Sequence, residues 1–199
     1  MVIGLDAELD TGIAMNLMLG DCLERMKEIP DGSVDMILAD PPYGTTACKW
    51  DSVIDLVLMW EQLKRIIKSN GAIVLFGIEP FSSFLRCSNI KMFKYDWVWV
   101  KTKKTGFTNA KNRPLSNYEV VSVFSEGTVA NCSPKRMPYN PQGLEPLNKV
   151  IKGGKNKSKG DEVGHSYYRP SQDADYIREW TNYPSNVLYF ANEGKTIHP

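Results

Sequence analysis

The chain has 199 residues, enough for one domain with a proper core or one domain with a small appendage, and its 42% hydrophobic and 24% charged residues are ordinary for a globular protein. No uninterrupted apolar run approaches the length of a membrane span and the acidic start carries no signal-peptide pattern, so a cytoplasmic location is expected. The net charge of +1 hides an asymmetry: residues 1–100 carry 9 Lys+Arg and 14 Asp+Glu, residues 101–199 carry 15 and 9, so phosphate contacts are expected of the second half.

Cys22, Cys48, Cys87 and Cys132 are widely spaced, form no Cys-x-x-Cys pair and have only His165 and His198 beside them, so no metal site is expected. Reduced thiols fit a cytosol better than disulfides.

Residues 1–14 have no clear period and read as an N-terminal arm. Asn16–Leu19 reads as a short strand ending at Gly20-Asp21. Cys22–Ile29 reads as a helix, with Leu23, Met26 and Ile29 at spacing three and Asp21 as its N-cap. A turn over Pro30–Ser33 leads into Val34–Leu38, an apolar run of the kind expected for a buried strand. Gly44–Ser52 is a polar loop holding Lys49, Trp50 and Asp51, in which Trp50 either stacks on a ligand or packs under the loop. Val53–Ser69 has the amphipathic pattern of a helix, stopped by Asn70-Gly71, and Ala72–Phe76 is a second apolar strand. Strand, helix and strand make a βαβ crossover, so an α/β fold with a mostly parallel sheet is expected.

Phe81–Ser88 reads as a short helix and Tyr95–Lys101 as a strand whose aromatics belong to the core. A polar, basic loop is expected from Lys101, with Lys103, Lys104, Lys111 and Arg113, before the strand Tyr118–Phe124. Residues 101–160 hold 12 Lys+Arg against three acids, with Tyr, Asn, Gln and Gly interleaved, a composition suited to nucleic acid. Within it Lys152–Gly164 reads as a solvated linker, disordered without DNA. Tyr183–Phe190 resumes a strand signal.

The chemistry concentrates in Asp40-Pro41-Pro42-Tyr43, at the carboxyl end of the first apolar strand, where open α/β sheets keep their sites. An exocyclic amino group on a base is a poor nucleophile because its lone pair is delocalised into the ring. Asp40 can accept one of its N–H bonds and the Pro41 carbonyl the other. Pro42 stiffens the turn, and Tyr43 offers a ring face for an extruded base. Such a site works by positioning and electrostatics.

With Leu19-Gly20-Asp21-Cys22-Leu23-Glu24 ahead of Asp31–Tyr43, the chain resembles the amino-methyltransferases of DNA, which make N6-methyladenine or N4-methylcytosine with S-adenosylmethionine. The resemblance runs from Met15 to Pro199. It implies a Rossmann-like methyltransferase fold, with a catalytic core over residues 15–125, a basic target-recognition insert over 126–182 and a return strand over 183–199. It implies catalytic roles for Asp40, Pro41, Pro42 and Tyr43, and cofactor contacts from Asp21, Cys22, Asp40, His198 and Pro199. Double-stranded DNA would be met by Trp50, Lys101, Lys103, Lys104, Lys111, Arg113, Lys135 and Arg136. Trp99 with Lys101, and Arg113-Pro114-Leu115 with Tyr118-Glu119, also match the family pattern. Adenine is preferred to cytosine because Asp in the first tetrad position goes with adenine in the family.

In family members with this motif order, the His-Pro pair opens a segment that ends in a Gly-rich turn for the methionine part of the cofactor. Here the sequence ends at His198-Pro199, and no Gly-x-Gly follows a strand. A truncated or split product of a prophage or decayed modification system is one expectation; completion by a homodimer or a second chain is another. A catalytically inactive DNA-binding remnant is the rival function, and RNA the rival polymer.

Overall fold

The computed structural model describes residues 16–131, 133–153 and 175–190. The chain divides into two compact units, Met1–Pro138 with Asn186–Pro199, and Tyr139–Ser185.

The first unit is a five-stranded sheet with helices. Its elements in chain order are α1 (Cys22–Met26), β1 (Val34–Ala39), α2 (Leu56–Ile66), β2 (Ile67–Gly77), α3 (Phe81–Ser88), β3 (Phe93–Thr105), β4 (Ser116–Phe124) and β7 (Val187–Tyr189). The sheet order is β1-β2-β4-β3-β7. β1 is parallel to β2, β4 is antiparallel to both β2 and β3, and β7 is parallel to β3. Four strands therefore point one way and β4 alone is reversed. The α2 crossover between β1 and β2 supplies the parallel connection that the hydrophobic pattern implies. β3 and β4 form a long hairpin whose basic tip lies at the carboxyl ends of the parallel strands.

Alternation along β2 sets the layers. Gly71, Ile73, Leu75 and Gly77 are buried, while Ala72, Val74 and Phe76 between them are half-buried. Ile73, Leu75 and Phe124 meet Met59, Trp60 and Leu63 of α2 and Phe81 and Leu85 of α3 in one core. Phe124 lies edge-on to Trp60 at 4.8 Å and to Phe93 at 5.7 Å. Fully burying an aliphatic or aromatic side chain stabilises by roughly 1.5–3 kcal/mol, so this cluster is the main reason the helices stay on the sheet. On the opposite face, Phe76 packs edge-on to Trp99 and Tyr95 to Trp97.

Arg65, near the end of α2, fastens the entry to β1. Its guanidinium donates to the carbonyls of Met26 and Ile29 at 2.6 and 2.8 Å and to Asp31. Asp55 caps α2 by accepting from the amides of Val57 and Leu58 at 2.8 and 3.1 Å.

The second unit contains a two-stranded antiparallel ribbon, β5 (Glu145–Ile151) and β6 (Tyr176–Thr181).

The structure corrects several sequence expectations. Asn16–Met18 form no strand. α1 stops at Met26, and Lys27–Ile29 form turns. Ile67–Ser69 belong to β2 and not to the preceding helix: Ile67 is extended (φ −73°, ψ 143°) and pairs with Val34, so pairing to β1 overrides the helical period. β1 is covered on one face only, since Met36 and Leu38 are 54% and 59% exposed while Ile37 and Ala39 pack on the core. β3 runs on past Lys101 to Thr105, which puts Lys103 and Lys104 on a strand where a loop was expected. The final strand is shorter than Tyr183–Phe190. The arm, the expected linker from Gly154 to Gly164, and His198-Pro199 lie outside the described residues.

Candidate active site

β1 ends at Ala39, and the chain turns through Asp40-Pro41-Pro42-Tyr43 at the carboxyl end of the strand. Pro41 is buried, Pro42 and Tyr43 half-buried and Asp40 exposed, so the turn is anchored through its prolines while its carboxylate faces outward. Tyr43 packs on Phe81 with ring centroids 5.2 Å apart, and its hydroxyl donates to Asp40. Burial pushes the Tyr43 phenol well above its ordinary range, and the Asp40 hydrogen bond and the charges of Asp40, Glu119 and Asp51 push the same way. Tyr43 thus stays a neutral donor, and the hydrogen bond ties the last residue of the tetrad to the first.

The loop after the tetrad is organised by a residue that sequence reasoning mentioned but gave no role. The Asp51 carboxylate accepts from the amides of Gly44 and Thr45 at 2.8 Å each and of Thr46 at 2.6 Å. Desolvation raises its pKa, but the hydrogen bonds from Gly44, Thr46 and Thr45 outweigh it and bring the value to about 2. Gly44 has φ +68°, and a Cβ there would lie 2.8 Å from Val53 Cγ2, so only glycine fits the turn. An Asp a few residues beyond a Gly-Thr-Thr run is a signal for such a cage, because short acidic side chains gather free turn amides. Trp50, beside Asp51, is 58% exposed; of its two readings, the packed one is not what the loop adopts.

Asp21 is the N-cap of α1. Its Oδ1 accepts from Leu23 N at 2.8 Å and Glu24 N at 3.4 Å, while Oδ2 makes no hydrogen bond among the described residues. Cys22 follows at the helix start, its thiol pKa raised by burial and by the Asp21 charge.

The basic residues divide. Lys101 pairs with Glu119, and its ammonium lies 4.8 Å from the centroid of the Trp99 ring. Both members of that pair are largely buried, so Lys101 serves the strand pair rather than standing ready for a phosphate. Lys103, Lys104, Lys111 and Arg113 are exposed along the β3–β4 hairpin. Lys135 and Arg136 are exposed in the segment after β4, where Arg136 bridges Thr128. The hairpin tip and the tetrad thus both lie at the carboxyl end of the sheet's parallel strands. Among the described residues no group of three His, Cys, Asp or Glu could hold a metal ion, and no helix is long and apolar enough to cross a membrane.

No family model matches the sequence. The type II methyltransferase M.HinfI of Haemophilus influenzae is 28% identical over 155 residues, covering 55% of this chain and 43% of that protein. The DNA adenine methyltransferase YhdJ of Escherichia coli (strain K12) is 28% identical over 123 residues, covering 56% of this chain and 41% of that protein. Among solved structures, PvuII DNA methyltransferase (cytosine-N4-specific) aligns with a TM-score of 0.49 at 13% identity, over 89% of this chain and 57% of that one. The chain spans about two-fifths of the length of these curated relatives. Over the matched stretches the chain is similar in sequence to DNA methyltransferases.

Proposed function

We propose that this chain carries the catalytic and target-reading part of a DNA amino-methyltransferase, moving a methyl group from S-adenosylmethionine to an exocyclic amino group in double-stranded DNA. Adenine N6 is the preferred acceptor, because the tetrad begins with Asp40. The observation that carries the reading is the tetrad at the end of β1, with Asp40 exposed, Pro41 anchored and the Tyr43 hydroxyl on the carboxylate.

The cofactor supplies an electrophilic methyl on a sulfonium. On this chain, the spare Oδ2 of Asp21 fits a donor of the cofactor, and Cys22 and the His198-Pro199 pair are its proposed neighbours. Asp40 accepts one N–H of the target amino group and the Pro41 carbonyl the other, which aims the lone pair. Pro42 holds the turn, and Tyr43 offers its ring to the flipped base while its hydroxyl fixes the Asp40 rotamer. As the amino nitrogen attacks it gains positive charge. The charges of Asp40, Asp51 and Glu119, all felt at Tyr43, favour that charge there. Trp50, Lys103, Lys104, Lys111, Arg113, Lys135 and Arg136 are the proposed DNA contacts.

Transfer of labelled methyl to unmethylated DNA tests the reading, with Asp40→Ala as control. Signal that vanishes in a folded Asp40→Ala protein is expected; wild-type rates in that variant would rule the assignment out.

One observation favours a partner in the reaction. Among the described residues β1 pairs only with β2, leaving its other backbone edge unpaired, and one of its faces exposes the apolar side chains of Met36 and Leu38, features that proteins normally cover. A second copy or a second polypeptide seated there would complete the sheet. Without it, the chain would act as an inactive DNA-binding subunit. Sedimentation and cofactor titration separate the two: association with cofactor binding supports completion, and a monomer that binds DNA but no cofactor supports the inactive subunit.

A further inference from the structure

Among the described residues Asp51 is the only charged side chain that is buried, at 8% exposure, and no lysine or arginine pairs with it. Taking a carboxylate out of water without a cation is costly, and hydrogen bonds to the charge must offset that cost. Here they come from three successive amides: Oδ1 accepts from Gly44, and Oδ2 accepts from Thr45 and Thr46. Closing a short surface loop needs no buried charge. Asp55, four residues further on, meets two amides in the ordinary way, as the exposed N-cap of α2.

What sets the Asp51 contacts apart is where they fall in the chain. Gly44 follows Tyr43 directly, so the Oδ1 bond acts on the peptide that leaves Tyr43. The Tyr43 side chain is already held at two points, by the Asp40 carboxylate at its hydroxyl and by the Phe81 ring at 5.2 Å between centroids. Both contacts grip the ring and neither grips the backbone beyond it. That backbone runs straight into a glycine at φ +68°, the residue type with the most freedom to turn elsewhere. Asp51 removes this freedom. A turn in which its own amide donates to the Cys48 carbonyl at 3.0 Å brings the carboxylate back to Gly44.

We propose that Asp51 is a positioning residue of the transfer reaction: by gathering the amides of residues 44–46 it fixes the backbone beyond Tyr43, and with it the plane of the Tyr43 ring, before an acceptor base arrives. It acts through Gly44 and has no need to touch base or cofactor. Catalysis by positioning is sensitive to such a restraint, because a reacting group misplaced by about 1 Å loses roughly 100-fold in rate. The inference rests on the amino-methyltransferase reading proposed above and assigns a part in it to a residue outside the tetrad.

Steady-state transfer of labelled methyl to unmethylated duplex, with DNA varied at saturating S-adenosylmethionine, tests it. Asp51→Ala is expected to lower kcat by at least about tenfold. KM for DNA should stay within about threefold, because phosphate contacts set most of the affinity for DNA. Asp51→Asn is the conservative variant. Its single carbonyl oxygen can keep the Gly44 amide or the Thr45 and Thr46 amides but not all three, so its kcat should fall between wild type and Asp51→Ala. Asp55→Ala loses amide contacts close by in the chain without touching the tetrad, and should lower the melting temperature while leaving kcat as it is. Carbon-13 signals of the tyrosine rings, with Tyr43 assigned by its disappearance in Tyr43→Phe, separate positioning from a mere loss of negative charge. The shift that the Phe81 ring imposes on Tyr43 should shrink in Asp51→Ala and persist in Asp55→Ala. Wild-type kcat in either Asp51 variant, or a Tyr43 signal that neither variant moves, overturns this inference and leaves the methyltransferase reading standing. A wild-type chain that transfers no methyl overturns that reading and the inference with it.

Discussion

Replacing Gly44 by alanine should loosen the loop that follows the tetrad without unfolding the sheet. Two costs add at this position. At φ +68° a non-glycine residue pays about 1–2 kcal/mol for the left-handed backbone. The new Cβ would also sit 2.8 Å from Val53 Cγ2, and because a β-branched side chain cannot swing away, overpacking adds about 1–3 kcal/mol. Together, about 2–5 kcal/mol act on a segment held mainly by the Asp51 carboxylate and the amides of residues 44–46. The loop should therefore open more often, and exchange of the Thr45 and Thr46 amides should speed up by about 30-fold or more, the factor that 2 kcal/mol gives. Gly32→Ala is the built-in comparison, since Gly32 has φ +59° but nothing within 4 Å of its Cβ. It should cost only the backbone part and leave the amides of Thr45 and Thr46 as they are. If Gly44→Ala leaves those amides within about threefold of wild type, the cage drawn around Asp51 does not hold the loop.

Arg65→Met should lower stability by about 2–3 kcal/mol, because two carbonyls lose a charged donor in a half-buried place, whereas Asp31→Asn removes only the exposed end of the same cluster and should cost less than about 1 kcal/mol. Urea midpoints for the two variants check this, and equal effects would show that the ion pair and not the carbonyl contacts does the fastening. Acid should act on the loop through Asp51: a carboxyl lowered from 3.8 to about 2 on folding contributes in full above the higher value and loses its contribution as pH falls toward the lower one. Amide chemical shifts of Thr45 and Thr46 should therefore hold steady down to that window and move within it, and a midpoint at the ordinary carboxylate value would contradict the cage.

The parts of the fold legible in the sequence are those where local pattern and tertiary pairing agree. The apolar runs before Ala39 and before Gly77 became β1 and β2, and Asp21 proved to cap α1, because apolar runs and caps act over a few residues. Ile67–Ser69 misled because the helical period continued into residues that β1 recruits as a strand. β5 escaped notice because Pro146, Asn148 and Lys149 break any alternation. Only a bulge, with Asn148 at φ 46°, lets that sequence pair with β6. At the site, the tetrad could be read from its four residues. Asp51 could not be given its role, since that role lies in distances to three amides and not in spacing. Lys101 looked like its exposed neighbours until Glu119 and Trp99 closed around it.

The reversal at β4 has a consequence for how such a chain can change over generations. β3 goes out and β4 comes back, so the segment between them is a hairpin tip at the carboxyl end of the parallel strands, the end at which β1 leads into Asp40 and Tyr43. A tip can be lengthened, shortened or exchanged while both of its roots stay paired, and neither the α2 crossover nor the core around Phe124 feels the difference. The tetrad and the tip are thus carried by separately replaceable parts, and Lys103–Arg113 can be exchanged as a cassette with no need to rebuild the strand that ends in Asp40.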